Sequence, residues 1–293
     1  MADTEELQIL KKENSKLKLE ARLRKSLSLE LERQKGIVQT AKEEAEKQQK
    51  LLQKASDRLS KYLSPQICEQ IFSDVEFDKG SGRKKLTIFF SDIVSFTSIS
   101  EAMEAEELSG FLNFYLTSMC EIALKYGGTI DKFIGDAIMA AFGLPISHED
   151  DEDRGVKAGI NMIKRLWEWN EQREKDGKPA VDMGLGLNTD KIVAGNIGSQ
   201  KRMDYTMIGD GVNLAARLES ACKQYSARIL ISDYTFKKLK GTYRIRYIDD
   251  VVVKGKNEPI GVHEVLDYHN DKTFPNLMDV VTVSYTHLTL PTN

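Results

Sequence analysis

The stretch that decides the fold, residues 86–142, has the sequence LTIFFSDIVSFTSISEAMEAEELSGFLNFYLTSMCEIALKYGGTIDKFIGDAIMAAF. It opens with a short apolar run at 86–90, which predicts a buried strand. Apolar residues then recur every three or four positions up to Gly127, which predicts a long helix. The spacing of Ser and Glu at 98–101 is that of a capping box and predicts the start of this helix.

Two more strand-like segments follow, at 129–133 and 137–142, and the tight turn between them predicts a β-hairpin. Beyond the hairpin, helix and strand patterns continue to alternate. They predict a helix around 156–167, another after Gly211, and strands near residues 181–188, 203–208, 228–232, 243–254 and 260–265. We therefore predict an α+β fold, a ferredoxin-like βαββαβ core with added strands and helices over one mostly antiparallel sheet.

The first 60 residues differ in composition from the rest of the chain. They contain no aromatic residue and no Pro, and their 14 Lys and Arg exceed their 11 Asp and Glu. Every seventh residue from Leu10 to Leu59 is apolar except Arg24, which predicts a parallel coiled coil over residues 1–63. A lone solvated helix stays open as the alternative, because Arg24 and several Gln residues weaken the apolar seam.

The remaining boundaries follow from Pro65 and from the end of the periodic pattern. Pro65 interrupts the helix, and we predict a linker over 64–83 and a globular domain over 84–268. Residues 269–293 have no periodicity and are interpreted as a disordered tail or a sequence artefact. The chain starts almost directly with the coiled coil, so we expect an upstream sensor domain to be missing from it.

Composition excludes several classes of protein. A net charge of −3 provides no positive field for nucleic acid. No uncharged stretch is long and apolar enough to span a membrane, and three scattered Cys residues indicate a reducing compartment. We therefore expect a cytoplasmic domain, although its parent protein could be membrane-attached. The four His residues lack metal-ligand spacing, and neither a P-loop nor a strand-linked GxGxxG motif occurs.

Two aspartates stand where a strand meets a turn. Asp92 closes the first apolar run, and Asp136 lies in the hairpin. If the two strands are adjacent, the carboxylates come together, and such a pair can hold two divalent cations for displacement at phosphorus. The alternative is structural, because Asp is common in turns.

Three further segments are candidates for binding phosphate. Backbone amides of residues 93–97 could face an anion, and Asn213 and Arg217 lie one above the other on a predicted helix. Lys254 ends a β-branched run at a turn. Each also has an ordinary structural interpretation, as a helix start, a surface Arg or a solvated turn.

Taken together, three ordered motifs closely resemble the catalytic domain of class III nucleotidyl cyclases, specifically adenylate cyclases. They are FSDIVSFT at 90–97, DKFIGD at 131–136 and IGDGVNLAAR at 208–217. The resemblance covers roughly residues 84–267. It implies conversion of ATP to 3′,5′-cyclic AMP and pyrophosphate by attack of the ribose 3′-hydroxyl on the α-phosphate.

The resemblance also implies roles for individual residues. Two divalent cations, Mg²⁺ or Mn²⁺, would be held by three residues, Asp92, Ile93 and Asp136. The substrate would be bound by Lys132 and Thr206 at the purine, by Lys254 at the triphosphate, and by Phe96 and Thr97. Asn213 would orient the ribose, and Arg217 would stabilise the transition state.

Lys132 matches the family position that carries Lys for adenine and typically Glu for guanine. An ammonium donates to an adenine ring nitrogen but meets the N–H of guanine badly. Thr206 departs from the Asp found there in many adenylate cyclases. The family's shared sites imply a homodimer through the catalytic domain and the coiled coil. A guanylate cyclase and a catalytically silent dimerisation module are the alternatives.

Overall fold

The computed structural model describes residues 2–59, 82–199, 202–252 and 259–269. Most of the predicted linker, the predicted tail after residue 269, and Lys254 lie outside these ranges. The chain divides into two compact units, residues 1–63 and 64–293.

The first unit contains the helix α1 (Ala2–Leu59), which is 58 residues long. The heptad side chains Leu10, Leu17, Leu31 and Val38 are 58–67% exposed in the single chain. Such a helix is compatible with the predicted coiled coil, which stays a prediction. Within the described residues, no helix combines the length and the apolar character that a bilayer span requires.

The second unit contains one eight-stranded sheet in the described residues. Its strand order is β2-β3-β1-β4-β6-β8-β7, and β5 pairs with β4 outside this path. All pairs are antiparallel except β4 with β6. The α+β class and the mostly antiparallel sheet are therefore confirmed, and β2-β3-β1-β4 has the order of a split βαββαβ core. The strands are β1 (Gly82–Ile93), β2 (Thr129–Ile134), β3 (Ala137–Phe142), β4 (Met183–Ser199), β5 (Arg202–Ile208), β6 (Ile229–Ser232), β7 (Ile245–Val251) and β8 (Ile260–Val265).

Helices cover both faces of the sheet. The long amphipathic helices α3 and α4 bury their apolar stripes on one face, and α5 packs on the other. Side chains of β1 alternate between the two cores, because Phe89 faces α3 and α4 whereas Ile88 and Phe90 face α5. The helices of this unit are α2 (Phe96–Glu101), α3 (Ala105–Lys125), α4 (Asp151–Lys175), α5 (Asp210–Tyr225) and α6 (Asp233–Phe236).

The predicted start of the long helix at residues 98–101 is wrong. Ser95, two residues after the end of β1, adopts a left-handed conformation (φ 59°, ψ 33°), and this turn starts the short helix α2 at Phe96. Ser98 lies inside α2, where its amide donates to the carbonyl oxygen of Ser95 at 3.1 Å. The long helix α3 begins only at Ala105.

The helix α5 rests directly on β4 at Gly186. A Cβ atom at this position would collide with the carbonyl oxygen of Ala215 and the amide nitrogen of Glu219. Only Gly allows this close approach of helix to strand. The contact sets the height of α5 above the sheet and thereby the position of the Asn213 and Arg217 side chains.

Candidate active site

The structure brings Asp92 and Asp136 together at one end of two neighbouring strands. In the β1–β3 ladder Ser91 lies opposite Ile138, so the next residue of β1 reaches the turn that carries Asp136. The Asp136 carboxylate accepts a hydrogen bond from the backbone amide of Ile93 at 3.1 Å. Asp136 is buried, with 9% of its surface exposed.

Burial and the neighbouring acids perturb the Asp92 carboxyl group. The pKa of Asp92 is raised to about 7, first by burial and then by hydrogen bonding to Asp136, by the charge of Asp136 and by the charge of Glu219. A backbone hydrogen bond at Ile93 opposes this rise. Asp92 and Asp136 are therefore held side by side although their negative charges repel. A bound cation would offset this repulsion.

This donor set fits a hard divalent cation. Asp92 and Asp136 provide carboxylate oxygens, and Ile93, the third expected ligand, contacts Asp136 through its backbone amide. Oxygen ligands suit Mg²⁺ and Mn²⁺, which keep several positions for water and substrate phosphate. In the described ranges, no three His, Cys, Asp or Glu side chains cluster in a way that could hold a metal. Two side chains therefore form the core of the candidate site.

Sequence reasoning missed Glu219 of α5, which lies next to this pair. Asp92 pairs with Gly184 across the β1–β4 ladder, and Glu219 Oε1 lies 3.4 Å from the position that a Cβ on Gly184 would take. Burial raises the pKa of Glu219, and the charge of Asp136 adds to this effect. No local pattern in the sequence singles out Glu219, because its place beside the pair depends on the contact of α5 with β4.

The segment after β1 carries Phe96 and Thr97 at the first turn of α2. The left-handed Ser95 is the residue before this turn. Phe96 packs against the core formed with α3 and α4, and Thr97 is exposed. The first amides of a helix have no carbonyl partner within it, so their N–H groups are free to face an anion.

A second cluster joins both residues of the predicted purine site. The Thr206 hydroxyl donates a hydrogen bond to Asp131 Oδ2 at 3.0 Å, and Lys132 Nζ lies 3.5 Å from the same oxygen. The Lys132 side chain is 42% exposed, whereas that of Asp131 is 3% exposed. Sequence reasoning quoted Asp131 within its motif but assigned it no role.

Asn213 and Arg217 lie on the exposed side of α5, one helical turn apart. Neither side chain makes a hydrogen bond or ion pair with another described residue, Asp92 and Asp136 included. Within one chain, Asn213 and Arg217 therefore make no polar contact with the acidic pair Asp92 and Asp136. Lys254 lies outside the described residues.

Comparisons with known proteins identify the domain. A family model of the adenylate and guanylate cyclase catalytic domain matches residues 80–267. An adenylate cyclase from Anabaena cylindrica is 39% identical over 213 residues, which cover 70% of this chain and 41% of that protein.

Two solved structures extend the comparison. The adenylyl cyclase CyaB from P. aeruginosa is 45% identical with a TM-score of 0.60, over 65% of this chain and 98% of that chain. The guanylyl cyclase Cya2 is 38% identical with a TM-score of 0.57, over 64% of this chain and 93% of that chain. The chain spans less than half the length of the curated relatives it matches. The match over residues 80–267 covers more than half of the chain, which therefore belongs to the adenylate and guanylate cyclase catalytic domain family.

Proposed function

We propose that the chain is an adenylate cyclase that converts ATP to 3′,5′-cyclic AMP and pyrophosphate. The observation that carries this proposal is the pair Asp92 and Asp136, held together at the ends of β1 and the β2–β3 hairpin. A pair of this kind suits displacement at phosphorus, where attacking and leaving oxygens both carry negative charge. The relatives named adenylate cyclase support it.

In the proposed mechanism, Asp92, Asp136 and the carbonyl of Ile93 would hold two divalent cations, Mg²⁺ or Mn²⁺. When bound, these ions neutralise the triphosphate and make the ribose 3′-hydroxyl more acidic. The amides of Phe96 and Thr97 donate to phosphate oxygens at the start of α2. Lys254 adds a positive charge at the triphosphate.

Asn213 and Arg217 complete the site from a second copy of the chain. Both side chains are exposed and without a partner among the described residues of their own chain, which supports a role across a dimer interface. Asn213 orients the ribose, and Arg217 stabilises the charge that develops as the α-phosphorus is attacked. A head-to-tail homodimer of this kind has two equivalent sites.

The helix α1 gives the dimer a second contact. Its exposed heptad residues would be buried in a parallel coiled coil, which would set the rotation of the two catalytic domains relative to each other. We also place this domain in the cytoplasm. Its described cysteines, Cys120 and Cys222, are free thiols, which suits a reducing compartment.

ATP is favoured over GTP because Lys132 presents a donor to the purine. The N1 atom of adenine accepts this hydrogen bond, whereas N1–H of guanine is itself a donor. Guanylate cyclase activity is the second candidate, because Cya2, a guanylyl cyclase, is 38% identical to this chain.

The test measures cyclic nucleotide release by the purified full chain with Mn²⁺, from ATP and from GTP separately. We expect cyclic AMP as the main product and no product from the Asp92→Asn variant. Predominant cyclic GMP would favour the second candidate. No product from either nucleotide would contradict the proposal and favour a catalytically silent dimerisation module.

A further inference from the structure

Asp131 is the extra residue of a β-bulge. The β2–β3 ladder is regular up to Ile130 opposite Ala140, and it resumes with Lys132 opposite Met139. In a regular strand the side chains of residues 131 and 132 would point to opposite faces of the sheet. A bulge re-aims the side chains around it, and here the Asp131 carboxylate and the Lys132 ammonium meet at 3.5 Å.

The same carboxylate oxygen also accepts the hydrogen bond from Thr206 at 3.0 Å. This contact joins β2 to β5, which are not neighbours in the sheet, because Thr206 pairs with Gly195 of β4. The Asp131 side chain is 3% exposed and lies behind the half-exposed Lys132. Asp131 is therefore placed to act on the purine through its two neighbours.

A hydroxyl group has one hydrogen and two lone pairs, so its partner decides what it offers to a ligand. An ionised carboxylate only accepts hydrogen bonds. The hydroxyl hydrogen of Thr206 is therefore committed to Asp131, and its lone pairs are left for a donor. Together, Lys132 then offers a donor and Thr206 offers an acceptor.

This pattern complements adenine and opposes guanine. The 6-amino group of adenine is a donor, whereas guanine carries a carbonyl oxygen at the same position. Guanine would therefore set its 6-oxygen against the lone pairs of Thr206 and its N1–H against the ammonium of Lys132. Two unsatisfied contacts discriminate more strongly than one.

We infer that Asp131 is a positioning residue that sets the preference for ATP over GTP by fixing the Thr206 hydroxyl as an acceptor. This inference rests on the proposed function, in which Lys132 and Thr206 contact the purine. It explains how Thr can serve at a position where many adenylate cyclases have Asp. The acceptor is provided by Thr206, and the charge that orients it comes from Asp131.

The test is Asp131→Asn in the full chain, with kcat and KM measured for ATP and for GTP. The Asn amide can donate to Thr206, which frees the hydroxyl hydrogen to face the 6-oxygen of guanine. We expect the ATP:GTP ratio of kcat/KM to fall by about tenfold or more, chiefly through KM. Asp131→Ser permits the same reversal and should shift the ratio in the same direction where the Asn variant is unstable.

Two controls separate orientation of the hydroxyl from general effects. Asp204→Asn removes a neighbouring negative charge that acts on Asp131 and leaves the Asp131–Thr206 bond in place, so the ratio should not change. In a Thr206→Val background there is no hydroxyl to orient, so Asp131→Asn should shift the ratio less than it does in the wild-type background, and only through its contact with Lys132.

Three results would overturn the inference. They are an unchanged ratio in the Asp131 variants, an equal shift in the Thr206→Val background, or an equal shift in Asp204→Asn. Each of these can occur while the wild-type chain releases cyclic AMP from ATP, and the proposed function then stands. A wild-type chain that forms no cyclic AMP instead contradicts the proposed function, and the inference falls with it.

Discussion

Asp136 and Ile93 are joined by a hydrogen bond of 3.1 Å from the backbone amide of Ile93 to the Asp136 carboxylate. This bond ties the tip of the β2–β3 hairpin to the end of β1. It holds Asp136 beside Asp92 without help from a cation, and it explains why the acidic pair is preformed in a single chain. Preformation makes the charge state of the pair measurable in the protein alone.

Asp92→Asn should stabilise the cation-free protein in a pH-dependent way. The folded-state pKa of Asp92 is about 7, against an ordinary value of 3.8, so the folded chain binds more protons between these values. Ionisation of Asp92 therefore destabilises the folded state increasingly as the pH rises from 4 to 7. The gain in Tm from Asp92→Asn should grow over this range and then level off.

Thermal melts in the presence of a chelator, at intervals from pH 4.5 to 8, measure this difference. Glu101→Gln, at an exposed position of α2, is the matched control and should show no such trend. A gain in Tm that is constant with pH would show that neither burial nor the neighbouring acids raise the pKa of Asp92 in the folded protein.

Gly186→Ala should displace α5 from the sheet. The added Cβ collides with the backbone of Ala215 and Glu219, so the helix must move. We expect a loss of about 1–3 kcal/mol in the free energy of unfolding, typical of overpacking. Activity should also fall, and by more than the destabilisation alone explains, because Asn213 and Arg217 move with the helix.

Denaturant unfolding and a cyclase assay on the same preparations check this prediction. Gly110→Ala, on an open side of α3 with nothing within 4 Å of the added Cβ, is the control and should be neutral or slightly stabilising. Equal behaviour of the two variants would mean that α5 and β4 tolerate a wider separation than the structure shows.

Lys132→Glu should reverse the purine preference in part. The carboxylate accepts from N1–H of guanine but repels N1 of adenine, so kcat/KM for ATP should fall by about 100-fold. Turnover of GTP should rise relative to ATP. Lys191→Glu makes the same charge change at an exposed position of β4 and should leave both rates unchanged. Retained preference for ATP in Lys132→Glu would remove Lys132 from the purine site.

Charges placed on the heptad seam of α1 should weaken the dimer. Leu31→Asp combined with Val38→Asp puts like charges at facing core positions of a parallel coil. We expect activity per molecule to fall on dilution more steeply than for the wild-type chain. Sedimentation at several concentrations measures the dissociation constant. Lys50→Asp, on the opposite side of α1, is the control and should not change the dissociation constant. An unchanged dissociation constant for the Leu31→Asp and Val38→Asp double variant would instead indicate that α1 is a lone helix.

The sequence alone predicts elements whose pattern is local. The strands at residues 137–142 and 260–265 have the predicted bounds, because short strand-like segments between turns determine them. The strand β4 instead continues to Ser199, well beyond the predicted end at residue 188. Its extension is rich in polar residues, and its pairing with β1 and β5 is a long-range property that no local pattern reveals.

The residues of the candidate site also differ in whether a local sequence pattern reveals them. Asp92 and Asp136 could be singled out because each stands at a strand end. Asp131 and Glu219 could not, since their surroundings depend on a bulge and on the contact of α5 with β4. Sequence patterns identify residues at special local positions, whereas residues that act through their neighbours emerge only from packing.

The most direct test of the account is complementation between two inactive variants, Asp92→Asn and Arg217→Ala. Subunits of the two variants, mixed and allowed to exchange, should form heterodimers with one intact site each. Random pairing predicts about one quarter of wild-type cyclic AMP formation from the mixture. A mixture that stays as inactive as its separate components, although heterodimers are shown to form, would contradict a site shared between two chains.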